Sequence, residues 1–186
     1  TNFGDIKTVA GFDLVFQNGS IICVGVILDI NTLEIIEEKQ TTNEITMNYY
    51  PDLIAFRDGP SIIDTIKKFQ NKPDLLVIEG NGILHPQKLG LATYVGVISN
   101  IPSVGINTKL VFGRLDEDKI MFDGKQVGFA VKNKDFANPV YVTLGNDISI
   151  ETAVNVMKKI SKNHKMPEPL QEAHSIAVKL KRVSNA

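Results

Sequence analysis

Three carboxylates stand in this chain where solubility alone would not put them. Asp13 interrupts the apolar alternation of VAGFDLVF (9–16). A lone carboxylate in a hydrophobic strand is costly unless it is paired, hydrogen-bonded or bound to a cation. Asp58 falls in AFRDGP, just ahead of a helical pattern, and Glu79 closes the apolar run DLLVIE (74–79). Carboxylates gathered from separate segments make a hard-oxygen site suited to Mg²⁺ or Mn²⁺. An ion held there can activate water and steady the charge that builds on a phosphodiester under attack. After Glu79 the chain reads Gly80-Asn81-Gly82-Ile83-Leu84-His85-Pro86. Glycines let the backbone turn sharply and leave room for a ligand, and His85 is a candidate to orient water, move a proton or contact phosphate. Plainer roles exist for each residue. Asp58 could cap the helix that follows or pair with Arg57, and Glu79 could end a strand in water. By position, His164 in a lysine-rich stretch and His174 on a helix read first as surface or structural histidines.

These residues need elements to hold them. VAGFDLVF alternates as a strand, with Val9, Gly11, Asp13 and Val15 on one face. Asn18-Gly19 is a strong hairpin signal, and IICVGVILD (21–29) and LEIIEEKQ (33–40) complete an antiparallel meander. Pro60 suits the first turn of a helix, and Ile62, Ile63, Ile66 and Phe69 follow at helical spacing, which predicts a helix over 60–70. DLLVIE reads as a strand buried on both faces, 87–99 as a helix, and PSVGIN (102–107) as another strand. Asp123-Gly124 predicts a hairpin between KIMF and KQVGFAV. PVYVTLG (139–145) reads as a strand, and two amphipathic helices follow, marked by Ile150 to Ile160 and by Leu170 to Leu180. A meander followed by strand–helix–strand crossovers implies an α/β domain, one mixed sheet flanked by helices. It can set the first and fourth strands side by side, which is what convergence of the acids requires.

Length and composition suit one globular domain over 1–186. The formal net charge of −1 lends no support to a binder that is basic throughout, although lysines and arginines can still be concentrated on one face. Four lysines lie between Lys158 and Lys165, and a solvated helix end accounts for them more simply than a phosphate patch. The single cysteine, Cys23, cannot form an intrachain disulfide and sits in an apolar run as a small hydrophobe. With no apolar run of spanning length and no signal-peptide pattern, the expectation is a cytoplasmic protein.

In order and spacing, the segments VAGFDLVF, YYPDLIAFRDGP, PDLLVIEGNGILHPQKLGLATYVGV, IPSVGINTKL, PVYVTLGNDIS and MPEPLQEAHSIA resemble the endonuclease V family. The resemblance implies an RNase H-like fold and a DNA-repair nuclease that cuts on the 3′ side of deoxyinosine with Mg²⁺ or Mn²⁺. It implies metal-binding and catalytic roles for Asp13, Asp58 and Glu79, and a catalytic role for His85. It also implies that Tyr49 and Pro51 belong to a wedge that fills the gap left by a displaced base, and that the backbone of Gly80, Asn81, Gly82, Ile83 and Leu84 walls the base pocket. Expected partners are inosine-containing DNA, or RNA, with no membrane and a monomeric chain. Some positions depart from the family pattern. Asp58 stands where the family usually has glutamate, and Glu79 where it usually has aspartate. Thr108 replaces a lysine, with Lys109 one residue later as the catalytic candidate. Gln87, Asn146 and Gln171 replace basic or imidazole side chains. Two other readings stay open: a nucleic-acid-binding relative that has lost turnover, and another metal-dependent nuclease of RNase H-like fold.

Overall fold

The computed structural model describes residues 1–132, 138–162 and 164–183. The chain opens with the expected meander: β1 (Thr8–Gln17), β2 (Ser20–Asp29) and β3 (Ile35–Glu44). Asn18 and Gly19, both at positive φ, make the β1–β2 turn. β3 begins two residues later than the pattern predicts, because Leu33 adopts positive φ and closes the turn with a bond from its N–H to Asp29 O.

Helix α1 (Ile54–Lys68) departs more from expectation. It starts six residues before Pro60, which lies inside it, while Pro51 opens a short 3-10 turn that leads into it. An interior proline lacks the N–H that would bond back one turn. Here the packing of Ala55, Ile62 and Ile63 outweighs that local cost. Asp58 is therefore a residue of the second turn and not a cap.

β4 (Leu75–Glu79), α2 (Leu91–Ser99) and β5 (Ser103–Asn107) follow. α2 begins four residues later than expected, because residues 83–90 form an irregular loop. Then come β6 (Arg114–Asp116), β7 (Lys119–Phe122), β8 (Lys125–Val131) and β9 (Val140–Asn146), followed by α3 (Ile150–Ile160) and α4 (Glu168–Val183). The strands form one sheet in the order β3-β2-β1-β4-β5-β9-β8-β7-β6. β1 and β4 are parallel neighbours, with Val9 opposite Leu75 and Gly11 opposite Val77.

The pleat sorts β1 and β4 between two cores. Val9, Leu75 and Val77 pack under α3 and α4. Ala10, Phe12, Leu76 and Ile78 pack under α1 and α2. The central strands thus anchor both layers, each fully buried aliphatic side chain contributing roughly 1.5–3 kcal/mol. Cys23 lies in the second core as the sequence suggests, its thiol pushed up to about 12 by burial. Among the described residues no helix is long and apolar enough to cross a membrane.

Glu37 on β3 ties the end of α1 to the sheet. It accepts hydrogen bonds from the N–H of Gln70 (2.8 Å), the N–H of Asn71 (3.0 Å) and Asn71 Nδ2 (3.0 Å). Burial alone would raise its pKa, but these bonds hold it down to about 2 from an ordinary 4.5. Its contribution is therefore complete above about pH 4.5 and is lost as the pH falls towards 2. Glu37→Gln is expected to cost about 1–2 kcal/mol at neutral pH. Denaturant melts between pH 2 and 7 should show a shallower acid decline for the variant than for the parent.

Candidate active site

Asp13 and Glu79 come together as the sheet requires. Carried on two residues past Gly11 and Val77, the β1–β4 register sets Asp13 beside Glu79, near the C-terminal end of β4. Their charges interact: burial first, and the nearby Asp13 second, raise the Glu79 carboxyl above its usual range, and His174 opposes the shift. Asp58 arrives from α1. All three acids line one cavity of about 300 Å³ with Phe12, Phe16, Ile54 and Asn107.

The surroundings of Asp58 suggest a missing partner. Burial pushes its carboxyl up, with Arg57 acting in the opposite direction. Among the described residues its buried Oδ1 has no hydrogen-bond partner, and the nearest cationic nitrogen is Arg57 Nε at 3.7 Å. A buried oxygen without a partner costs about 1–3 kcal/mol, and a cation in the cavity would satisfy it. Asp13 is already engaged: Leu14 N–H donates to Oδ1 at 3.0 Å, and His174 Nδ1 lies 3.0 Å from Oδ2. Among the described residues no three His, Cys, Asp or Glu side chains are drawn into a finished cation cage. The donors fit a hard cation in kind and share a cavity, but they would have to close by side-chain rotation.

His174 reads from the sequence as a surface or structural histidine on a helix, and it is indeed exposed on α4. What the sequence did not reveal is its contact with Asp13. In the fold, Pro169 packs on Gly11, where no Cβ could fit, and α4 then carries His174 onto Asp13. A further cavity of about 270 Å³ holds Asp13, Glu79, Gln171 and His174, so the two sheet acids face cavities on both sides. The one available signal was that His174 follows Leu170 by four residues, beside the buried stripe of Leu170, Ala173 and Ala177.

A second cavity, of about 260 Å³, adjoins the acids. It shares Ile54, Gly80, Leu91 and Asn107 with the acid cavity and adds Tyr49, Pro51, Asn81, His85, Val111 and Phe112. His85 therefore stands in this apolar compartment and not among the acids. It is nearly buried, packs edge-on against Phe112 at 6.0 Å, and accepts the Gln87 N–H on Nδ1 at 3.3 Å. Tyr49 is 59% exposed. Asn81 Oδ1 accepts from Asn107 Nδ2 at 2.6 Å, joining the turn after β4 to the end of β5. Asn107 was not anticipated, since a polar residue at a strand end carries no local signal.

The structure brings only part of the expected pocket wall to the cavity. Gly80, at φ +146°, and Asn81 line the cavity. Gly82, Ile83 and Leu84 do not line it. The amides of Gly82 and Ile83 are bound to Thr143 Oγ1 and Leu144 O, and Leu84 is buried against Ile120 and Val127. The Gly80 amide is bound to Ile106 O. These peptide groups seat the turn on β9 and β5. Lys109 has left β5 and is exposed on the bend beyond it, outside both cavities.

Comparison with known proteins places this geometry. The endonuclease V family model matches residues 1–175. The endonuclease V of Dictyoglomus thermophilum is 36% identical over 180 residues, covering 92% of this chain and 79% of its own. The crystal structure of the catalytic domain of human endonuclease V superposes with a TM-score of 0.83 at 26% identity, covering 96% of this chain and 84% of that one. An endonuclease V of Ciona intestinalis, solved with a 24mer DNA containing an inosine followed by a ribo-adenosine, shares the fold at a TM-score of 0.84 and 22% identity, covering 98% and 89%. The mixed sheet with parallel β1 and β4 has the RNase H-like fold of these nucleases. More narrowly, the chain belongs to the endonuclease V family.

Proposed function

We propose that this chain is a metal-dependent endonuclease that nicks nucleic acid on the 3′ side of a deaminated adenine. The observation that carries the reading is the pairing of compartments. A cavity holding three carboxylates opens beside an apolar cavity fronted by an exposed tyrosine, and the two share four residues. The inosine-containing DNA bound to the Ciona relative supports the choice of substrate.

Asp13, Asp58 and Glu79, which line one cavity, would hold the cation, Mg²⁺ or Mn²⁺. When bound, such an ion supplies an activated water and charge neutralisation at the scissile phosphate. Tyr49 and Pro51 line the mouth of the base compartment, where a ring can stack on nucleobases. Asn81 and Asn107 offer amides towards a purine edge, and Asn81 holds Asn107 in one orientation. His85 lines the wall of that compartment, and Lys109, exposed beyond β5, would contribute only by reaching in from outside the two cavities.

One observation favours a second reading, a binding relative without turnover: both Asp13 oxygens are already hydrogen-bonded, and the three acids are not closed into a cage. An oligonucleotide with a single inosine separates the readings. Nicking that needs Mg²⁺ or Mn²⁺ and stops with EDTA is the expected result. Tight binding with no nicking under either metal, at high protein concentration, would establish the second.

A further inference from the structure

Arg57 contacts both compartments. Its guanidinium carbon lies 4.3 Å from the centre of the Phe16 ring and 5.3 Å from that of Tyr49, so one planar cation stands between two rings. Phe16 lines the acid cavity and Tyr49 the base cavity. The arginine side chain is only 13% exposed, whereas Tyr49 is 59% exposed and has no hydrogen-bond partner among the described residues. The neighbouring Asp58 does not account for this placement. At 3.7 Å the Nε–Oδ1 separation is too long for a hydrogen bond, and among the described residues both buried atoms are without one. What the guanidinium does reach is the two rings, and its flat delocalised shape can lie against an aromatic face where an ammonium offers only a point charge.

We propose that Arg57 is a positioning residue that braces the Tyr49 ring at the mouth of the base cavity, through planar stacking and not through its charge. The proposal rests on the endonuclease reading above. A base that leaves a duplex opens a gap in the stack, and a ring that enters the gap recovers roughly 1–3 kcal/mol. A freely rotating tyrosine would lose part of that gain to ordering. Arg57, itself pinned by Phe16, fixes the ring beforehand. The brace matters where a stack must be refilled and matters less on a single strand, whose inosine is already unpaired.

The test compares single-turnover nicking of duplex and single-stranded oligonucleotides, each with one inosine, by the parent, R57A and R57K. In parallel, 2-aminopurine beside the inosine reports unstacking in the uncut duplex. Both variants should lose about tenfold on the duplex and less than about threefold on the single strand. They should also show a smaller fluorescence rise. Phe16→Leu removes the other side of the sandwich and should shift both readouts in the same direction, which keeps the test valid if R57A fails to fold. Equal losses on the two substrates would overturn the proposal. So would full activity in R57K, which would make Arg57 a charge partner of Asp58. A parent that nicks neither substrate would count against the endonuclease reading. The fluorescence difference would then decide the brace by itself, its presence supporting it and its absence overturning it.

Discussion

Asp13→Asn is expected to lower metal-dependent nicking of an inosine-containing duplex by about 100-fold or more while leaving the fold intact. Asp13 and Glu79 both line the two acid cavities, and the charge of Asp13 helps to raise the Glu79 carboxyl. Asparagine keeps the size and one oxygen acceptor, so the bond from Leu14 N–H can persist. What disappears is the negative oxygen that a hard cation prefers. Removal of the charge also relieves Glu79, so the variant should melt no earlier than the parent. Nicking rates with Mg²⁺ and Mn²⁺, set beside thermal melts, check this. Activity within a few-fold of the parent would remove Asp13 from the ligand set.

The second large effect concerns a residue that touches no substrate. Gly105 on β5 lies directly beneath the turn that follows β4. A Cβ there would meet the Gly80 carbonyl, with Gly82 N at 2.7 Å and the Asn81 carbonyl carbon at 2.8 Å, all of them backbone. Backbone cannot swing aside as a side-chain tip can, so Gly105→Ala should lift the turn at a cost of about 1–3 kcal/mol. The same movement would displace Gly80, which lines both cavities, and would pull Asn81 from Asn107. Nicking should therefore fall by more than the loss of folded protein explains. Denaturant titration and rate measurement on one preparation would show it. Parental stability with parental rates would mean that the turn is not seated on β5 as described.

The parts of this fold that were legible in the sequence carry local signals. Asn18-Gly19 and Asp123-Gly124 marked two hairpins correctly, because the positive φ that their turns need suits few residues. Asp13 drew attention because a charge in an apolar strand demands an explanation, and the side-by-side placement of β1 and β4 followed from the crossover order. What was misread or missed has the opposite character. Pro60 suggested a helix start, but tertiary packing extended α1 through it to Ile54. His174 meets Asp13 across 161 residues of sequence, and no local pattern encodes such a contact. Gly82 and Ile83 looked free to line a pocket until β9, some 60 residues further on, supplied the partners for their amides.

The most direct test of the acid site is anomalous scattering from a crystal soaked in Mn²⁺. A single strong peak is expected within about 2.5 Å of oxygens from Asp13, Asp58 and Glu79 together. A soak that leaves that cavity without a peak, or places the ion on one of the three acids alone, would contradict a shared cation site.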